Sequence, residues 1–335
     1  MNPLSSAIES LGYASAWTYL ALFLVASLLM IWRLEALLDH GLEGTALGTL
    51  VMPYCSGLGN LIFVALTAAR KDAGTEVLTN CLVNNVTNLT LLLGLPALFW
   101  GLRLGGAKRS GGKKSFAKSA ASVEQQISRL SLLLTIAAAL IFCGVAWALG
   151  ADGLLDASDG LVLIALFLFW QCFQVFDVMK HNLRQRVRLG PRFFFDVGTV
   201  LVGAYGLYVS IDWLVTWIAA QEGGFVSGKN LGWLSGWLMV LPNALLAFFY
   251  AARRRADITY ASQIGDGHVC IPLCLGLGAM LHPIAVPAFF QTGIFILIGA
   301  ALTHGAFVLF GDGLPRWMGW PLLAGYGWFL AVGLT

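Results

Sequence analysis

Apolar stretches of about 20 residues recur along the whole of this chain, and each is long enough to cross the roughly 30 Å hydrocarbon core of a bilayer as a helix. Lipid offers no partner for backbone N–H and C=O groups, so a spanning segment must be a helix or part of a closed barrel. Barrel strands alternate apolar and polar residues, whereas these runs are continuous, so helices are expected. Apolar residues make up 58% of the chain and charged residues 11%, and the mean hydropathy is +0.79, which excludes a soluble domain. The pattern predicts an all-α integral membrane protein with ten transmembrane helices, at 14–37, 46–69, 75–99, 128–149, 159–179, 193–218, 231–252, 257–280, 284–304 and 317–334. Residues 1–13 lack the basic start of a signal peptide, so the first span is expected to be retained.

Lys and Arg set the orientation. With the N-terminus outside, the inside receives Arg33, the 103–129 loop, the 180–192 loop, Arg253 to Arg255 and Arg316, which is 17 of the 20 basic residues. Both termini are therefore expected outside, with an inner (cell) membrane as the expected location. Anionic lipid and orientation account for the basic loops, so the bilayer and transported ions are the expected partners, with no nucleic acid and no named protein. The 103–124 segment, rich in Gly, Ser, Lys and Ala, is expected to be a linker.

Two stretches, 53–98 and 235–280, look like diverged copies of one element. Each has an apolar span with an Asn after a helix-disrupting Gly or Pro (Gly59-Asn60, Pro242-Asn243), and then Ala-Ala-Arg at a turn (Ala68-Ala69-Arg70, Ala251-Ala252-Arg253). A second span with small and polar residues at four-residue spacing follows, closing in Leu-Gly. They divide the chain into a five-span half at 1–179, a cytoplasmic linker at 180–192 and a second five-span half at 193–335. An odd number of spans per half inverts the second repeat relative to the first. The turn at Arg70, Lys71 and Asp72 then lies outside and that at Arg253 to Arg255 inside. Inverted repeats with interrupted, polar-lined helices are the sequence signature of secondary transporters.

The candidate site lies where the repeats meet. Asn80, Asn84 and Asn88 fall at i, i+4 and i+8, so they stack on one helix face, with Asn85 and Thr87 beside them. In the other repeat Ser262 and Asp266 are four apart, with Gln263 adjacent and His268 two residues on. An ionisable residue deep in a membrane helix is costly and points to function, so Asp266 is expected to carry the charge. His268 is a candidate proton-linked group, alongside Asp266 itself. Asn60 and Asn243 follow residues that free carbonyls from the helix ladder, and oxygen ligands of this kind suit hard cations. Asp266, Asn84 and Asn243 are the candidate metal-cation ligands.

The six cysteines (Cys55, Cys81, Cys143, Cys172, Cys270 and Cys274) fall in apolar spans and suggest buried hydrophobes rather than a disulfide framework. No phosphate-cradling Gly-Lys-Ser/Thr, no His-Glu-x-x-His and no soluble catalytic arrangement is present, so neither an enzyme nor an ATP-driven pump is expected. No cofactor is expected beyond transported Na⁺, H⁺ or Ca²⁺.

The repeats resemble the α-repeats of the cation/Ca²⁺ antiporter superfamily, of sodium/calcium exchanger type. Leu241-Pro242-Asn243 falls on that family's Pro-Glu, Ala261-Ser262 on its Gly-Asn and Gly265-Asp266-Gly267 on its Gly-Ser-Asn. In the first repeat Gly59-Asn60 approximates Pro-Glu with a one-residue slip, Thr79-Asn80 falls on Gly-Asn, Val83-Asn84-Asn85 on Gly-Ser-Asn and Asn88 on the following Asn. The resemblance implies two inverted five-helix repeats and alternating access of a cation between four central helices. The chain departs from the pattern at both repeat glutamates, which are Asn60 and Asn243 here, and at a serine position, which is Asp266. Fewer carboxylates imply weaker Ca²⁺ binding. The expected function is a Na⁺- or H⁺-coupled cation antiporter, with Ca²⁺ among the cargo ions considered. The alternatives are a same-fold transporter of an organic or other non-calcium solute and a non-transporting sensor or scaffold.

Overall fold

The computed structural model describes residues 13–38, 52–68, 74–104, 115–182 and 190–335. Helix α1 spans Tyr13–Leu38 and α2 spans Met52–Ala68. Helix α3 (Gly74–Val86) continues through a π-helical turn, Thr87–Leu91, into α4 (Leu92–Trp100). Then come α5 (Ser115–Leu149), α6 (Ala157–Asn182), α7 (Pro191–Ala219) and α8 (Leu231–Ala252). Helix α9 (Ala256–Val269) likewise passes through a π turn, Cys270–Leu275, into α10 (Gly276–Leu281). The last helices are α11 (Phe290–Phe310) and α12 (Gly319–Gly333). Among the described residues, eight helical segments are long and apolar enough to cross a membrane.

Burial sorts these helices. The spans Gly74–Trp100 and Ala256–Leu281 are each 78% buried over their most apolar stretch, against 28% for Pro191–Ala219. The two interrupted, polar-bearing spans therefore form the centre, and helices such as α7 present Leu201, Val202 and Tyr205 outward, as lipid-facing residues should. Helix α1 packs along α7, with Tyr19 stacked on Trp213 at 4.2 Å between ring centroids. Arg33 of α1 pairs with the buried Asp196 of α7 at 3.1 Å, which seats that carboxylate inside a helix–helix contact.

Four two-residue strands tie helix ends together. The strand β1 (Leu102–Arg103), directly after α4, pairs antiparallel with β4 (Gly313–Leu314), between α11 and α12. Strand β2 (Leu154–Leu155), between α5 and α6, pairs antiparallel with β3 (Ile284–Ala285), directly after α10.

Two expected boundaries move. The span expected at 284–304 forms instead at Phe290–Phe310. Pro283 and Pro287 hold the preceding backbone extended, so Ile284 and Ala285 join a strand pair and the helix starts one and a half turns later. The segment read as a linker through 124 is helical from Ser115, where Ala, Lys, Glu and Gln supply strong helix propensity. Of the second expected span, 46–69, only residues from Met52 to Ala68 are described. The turn at Arg70 to Asp72 and residues 105–114 and 183–189 lie outside the described residues.

Candidate functional site

The stripe on α3 folds into the centre of the molecule. Asn80, Asn84 and Asn88 are all fully buried, as are Asp266 of α9 and Asn60 of α2. The Asn88 side chain donates from Nδ2 to Asn84 Oδ1 and to Asp266 Oδ2, both at 2.9 Å. Asn84 Nδ2 in turn reaches Asn60 Oδ1 at 3.4 Å. Asn80 Nδ2 donates to Ser235 Oγ of α8 at 3.0 Å, and that hydroxyl donates to Gly232 O at 3.1 Å. On the opposite side, Gln263 Nε2 donates to the main-chain oxygen of Asn243 at 3.2 Å and to Ser262 Oγ at 3.0 Å. Helices α2, α3, α8 and α9 thus meet through side chains.

A π turn interrupts each of the two spans at or just beyond these groups. Thr87 Oγ1 donates to Val83 O at 2.6 Å and Thr90 Oγ1 donates to Val86 O, competing with the ladder one turn back. Pro272 removes a donor from the other turn. A π turn rotates the side chains that follow it, and such turns are frequent at functional sites. The fully buried His304 of α11 has Nε2 2.8 Å from Leu89 O, within the first π turn.

The cluster holds more oxygen than its internal hydrogen bonds use. Asn80 Oδ1, Asn85 Oδ1, Asn88 Oδ1, Asn243 Oδ1 and Gln263 Oε1 are buried without a hydrogen-bond partner, as are the amide nitrogens of Asn60 and Asn243. An unsatisfied buried polar atom costs roughly 1–3 kcal/mol, so a run of them marks a place prepared for a ligand. Oxygen atoms from amides beside one carboxylate suit a hard cation. Among the described residues no group of three or more His, Cys, Asp or Glu is placed to hold a metal ion. The described cluster therefore offers amide oxygens and one carboxylate. Helix α9 comes close to α3 at Gly267, where an added Cβ would lie 2.6 Å from Asn85 Oδ1.

Not every expected residue joins the cluster. Ser262 is half-buried, and its hydroxyl donates to Thr259 O at 3.1 Å. His268 lies against α5 and α6: its Nε2 is 2.9 Å from Thr135 O, and its ring meets Phe142 and Trp170 edge-on. His304 sits well inside α11. Cys81, Cys143, Cys270 and Cys274 are buried free thiols and Cys172 is exposed. Cys81 Sγ donates to Cys270 O at 3.3 Å.

Three participants escaped sequence reasoning. Ser235 and His304 carry no local signal, because their partners lie 155 and 215 residues away. Glu76 did have one: it extends the four-residue spacing of 80, 84 and 88 by one step. Its Oε2 accepts the Gly232 N–H at 2.5 Å.

Interrupted helices crossing at a buried polar cluster, within a shell of helices that face outward with apolar side chains, are the build of a multi-pass membrane protein. Residues 13–176 match the family described as sodium/calcium exchanger protein. The fold matches the sodium-calcium exchanger NCX_Mj soaked with 2.5 mM Na⁺ and 1 mM Sr²⁺, with a TM-score of 0.67 and 18% identity, covering 99% of each chain. It also matches NCX_Mj soaked with zero Na⁺ and Ca²⁺, with a TM-score of 0.67 and 20% identity over 95% of this chain and 98% of that one. No curated protein matches the sequence significantly. Residues 13–176 are thus similar in sequence to the sodium/calcium exchanger family, and the chain as a whole shares the fold of NCX_Mj.

Proposed function

We propose that the chain is a secondary active antiporter that carries a cation between four central helices by alternating access, coupled to Na⁺ or H⁺. The observation that carries this reading is the buried Asp266–Asn88 contact across the two halves, set among amide oxygens that have no protein partner. Asp266 supplies charge, and Asn60, Asn80, Asn84, Asn88 and Asn243 supply or orient oxygens. A ten-span plan of two inverted halves is supported by the π turn that each interrupted span carries at or just beyond its polar residues. The strand pairs support it too. Each strand that follows an interrupted span pairs with the strand between the last two helices of the other half.

With one carboxylate, the site binds Ca²⁺ more weakly than a site with several would, because Ca²⁺ affinity follows ligand charge count. Monovalent cations and protons gain by comparison. The test is a flux screen in proteoliposomes over Ca²⁺, Na⁺, K⁺ and imposed pH gradients, with Asp266→Asn as the control. Uptake of at least one cation against a Na⁺ or H⁺ gradient, lost in Asp266→Asn, is expected. Flux that survives Asp266→Asn removes Asp266 from the mechanism. No cation flux in the wild type would favour an organic solute or a non-transporting role.

A further inference from the structure

The polar face of α3 does not begin at Asn80. Glu76, Asn80, Asn84 and Asn88 recur every four residues, so the stripe runs from the first turn of α3 to Asp266. Helix α8 lies against its outer part through Gly232, Ser235 and Gly236. A Cβ on Gly232 would lie 2.7 Å from Glu76 O and 2.8 Å from Glu76 Oε2, and one on Gly236 would lie 2.7 Å from Val83 Cβ. Small residues at this spacing let membrane helices approach closely. Two contacts close the seam: the Gly232 N–H donates to Glu76 Oε2 at 2.5 Å, and Asn80 Nδ2 donates to Ser235 Oγ at 3.0 Å. Between Glu76 and the inner cluster lies the fully buried Asn80, whose Oδ1 has no partner.

Resting on the cation-transport reading above, we propose that Glu76 is a second cation-binding carboxylate of the pathway, an outer station that receives the ion before Asn80 hands it to the inner cluster. The start of α3 and the start of α8 lie on the face that the Lys/Arg bias assigns to the outside. In the state described here the carboxylate is engaged by the Gly232 N–H, and the seam between α3 and α8 is shut. A cation arriving at Glu76 competes for the same oxygen, so its binding loosens the contact that closes the path. The inner cluster carries one carboxylate, and Glu76 adds the second charge one helical turn outside Asn80. Because it sits at one end of the stripe, its effect is confined to ions arriving from that side.

The test compares Glu76→Gln and Glu76→Asp in proteoliposomes of known protein orientation, using the cation that the wild type transports. Glu76→Gln keeps an oxygen able to accept from the Gly232 N–H but removes the charge. It is expected to raise the KM for cation added at the outer face by about tenfold, as loss of a focusing charge does, with Vmax and the KM at the inner face unchanged. Glu76→Asp keeps the charge and is expected to retain a KM within about twofold of wild type, even though its shorter reach weakens the contact with α8. Equal KM values for Gln and wild type would overturn the proposal, as would equal losses in Gln and Asp, because either result makes Glu76 a purely structural link. A shift equal at both faces would also overturn it. If the wild type moves no cation, the transport reading fails first, and that failure is visible before any Glu76 variant is read.

Discussion

The two interrupted spans have the same build and opposite chemistry. Each runs as an α-helix, opens into a π turn at or just beyond its polar residues and resumes as a short helix leading to a two-residue strand. Each is the most buried kind of span in the molecule. Yet the α3 span brings only amides to the centre, Asn80, Asn84, Asn85 and Asn88, whereas the α9 span brings Asp266. The shared part is backbone geometry, which positions ligands. The different part is charge, which sets what those ligands hold. A scaffold can keep its positions while its charge is redistributed, because desolvating each added carboxylate in a buried site is expensive.

The comparison breaks most sharply by removing the charge. Asp266→Asn leaves the inner cluster without a carboxylate, and cation-dependent flux in proteoliposomes is expected to fall to background. Adding Asn84→Asp to that variant moves the carboxylate to the other span. Both positions lie 2.9 Å from Asn88 Nδ2, so part of the flux is expected to return. No recovery would show that the spans are not interchangeable as charge carriers. Asn88→Ala, next in size, removes the donor that joins them. Hydrogen bonds to charged groups are worth about 1.5–3 kcal/mol, so cation affinity measured by flux titration is expected to change about tenfold or more, with the folded protein retained.

How much of this was legible in the sequence depends on whether the cause was local. The polar faces were legible, because four-residue spacing of Asn and a lone Asp in an apolar run have few other readings. The common build of the two interrupted spans was hinted at by their polar faces and Leu-Gly endings. The π turns were not: Pro272 hints at one, but the first depends on Thr87 and Thr90 back-bonding to α3, with Leu89 O met by a histidine 215 residues away. The start of α11 was misplaced because hydropathy outweighed Pro283 and Pro287, whose effect is on backbone conformation rather than polarity. Glu76 was in plain view, but an acid at the first turn of a helix also has a routine explanation in the helix dipole.

The histidines give the smaller contrasts. His304 braces the first π turn, and His268 lies behind the second span against Thr135, Phe142 and Trp170. His304→Phe keeps a ring beside Tyr260, which His304 meets edge-on at 5.6 Å, but loses the contact with Leu89 O. A buried carbonyl left without its partner costs roughly 1–3 kcal/mol, so a lower Tm in detergent is expected, with transport weakened and not lost. An unchanged Tm would mean that the π turn holds without the brace. His268→Gln is the finest test. If protons couple through Asp266 alone, the pH profile of flux is expected to match the wild type. The ring faces a backbone oxygen and two aromatic edges, and it makes no hydrogen bond to the amide cluster. A displaced profile would bring His268 into the proton path and make the α9 span the carrier of both charge and proton coupling, which would widen the division of labour between the two spans.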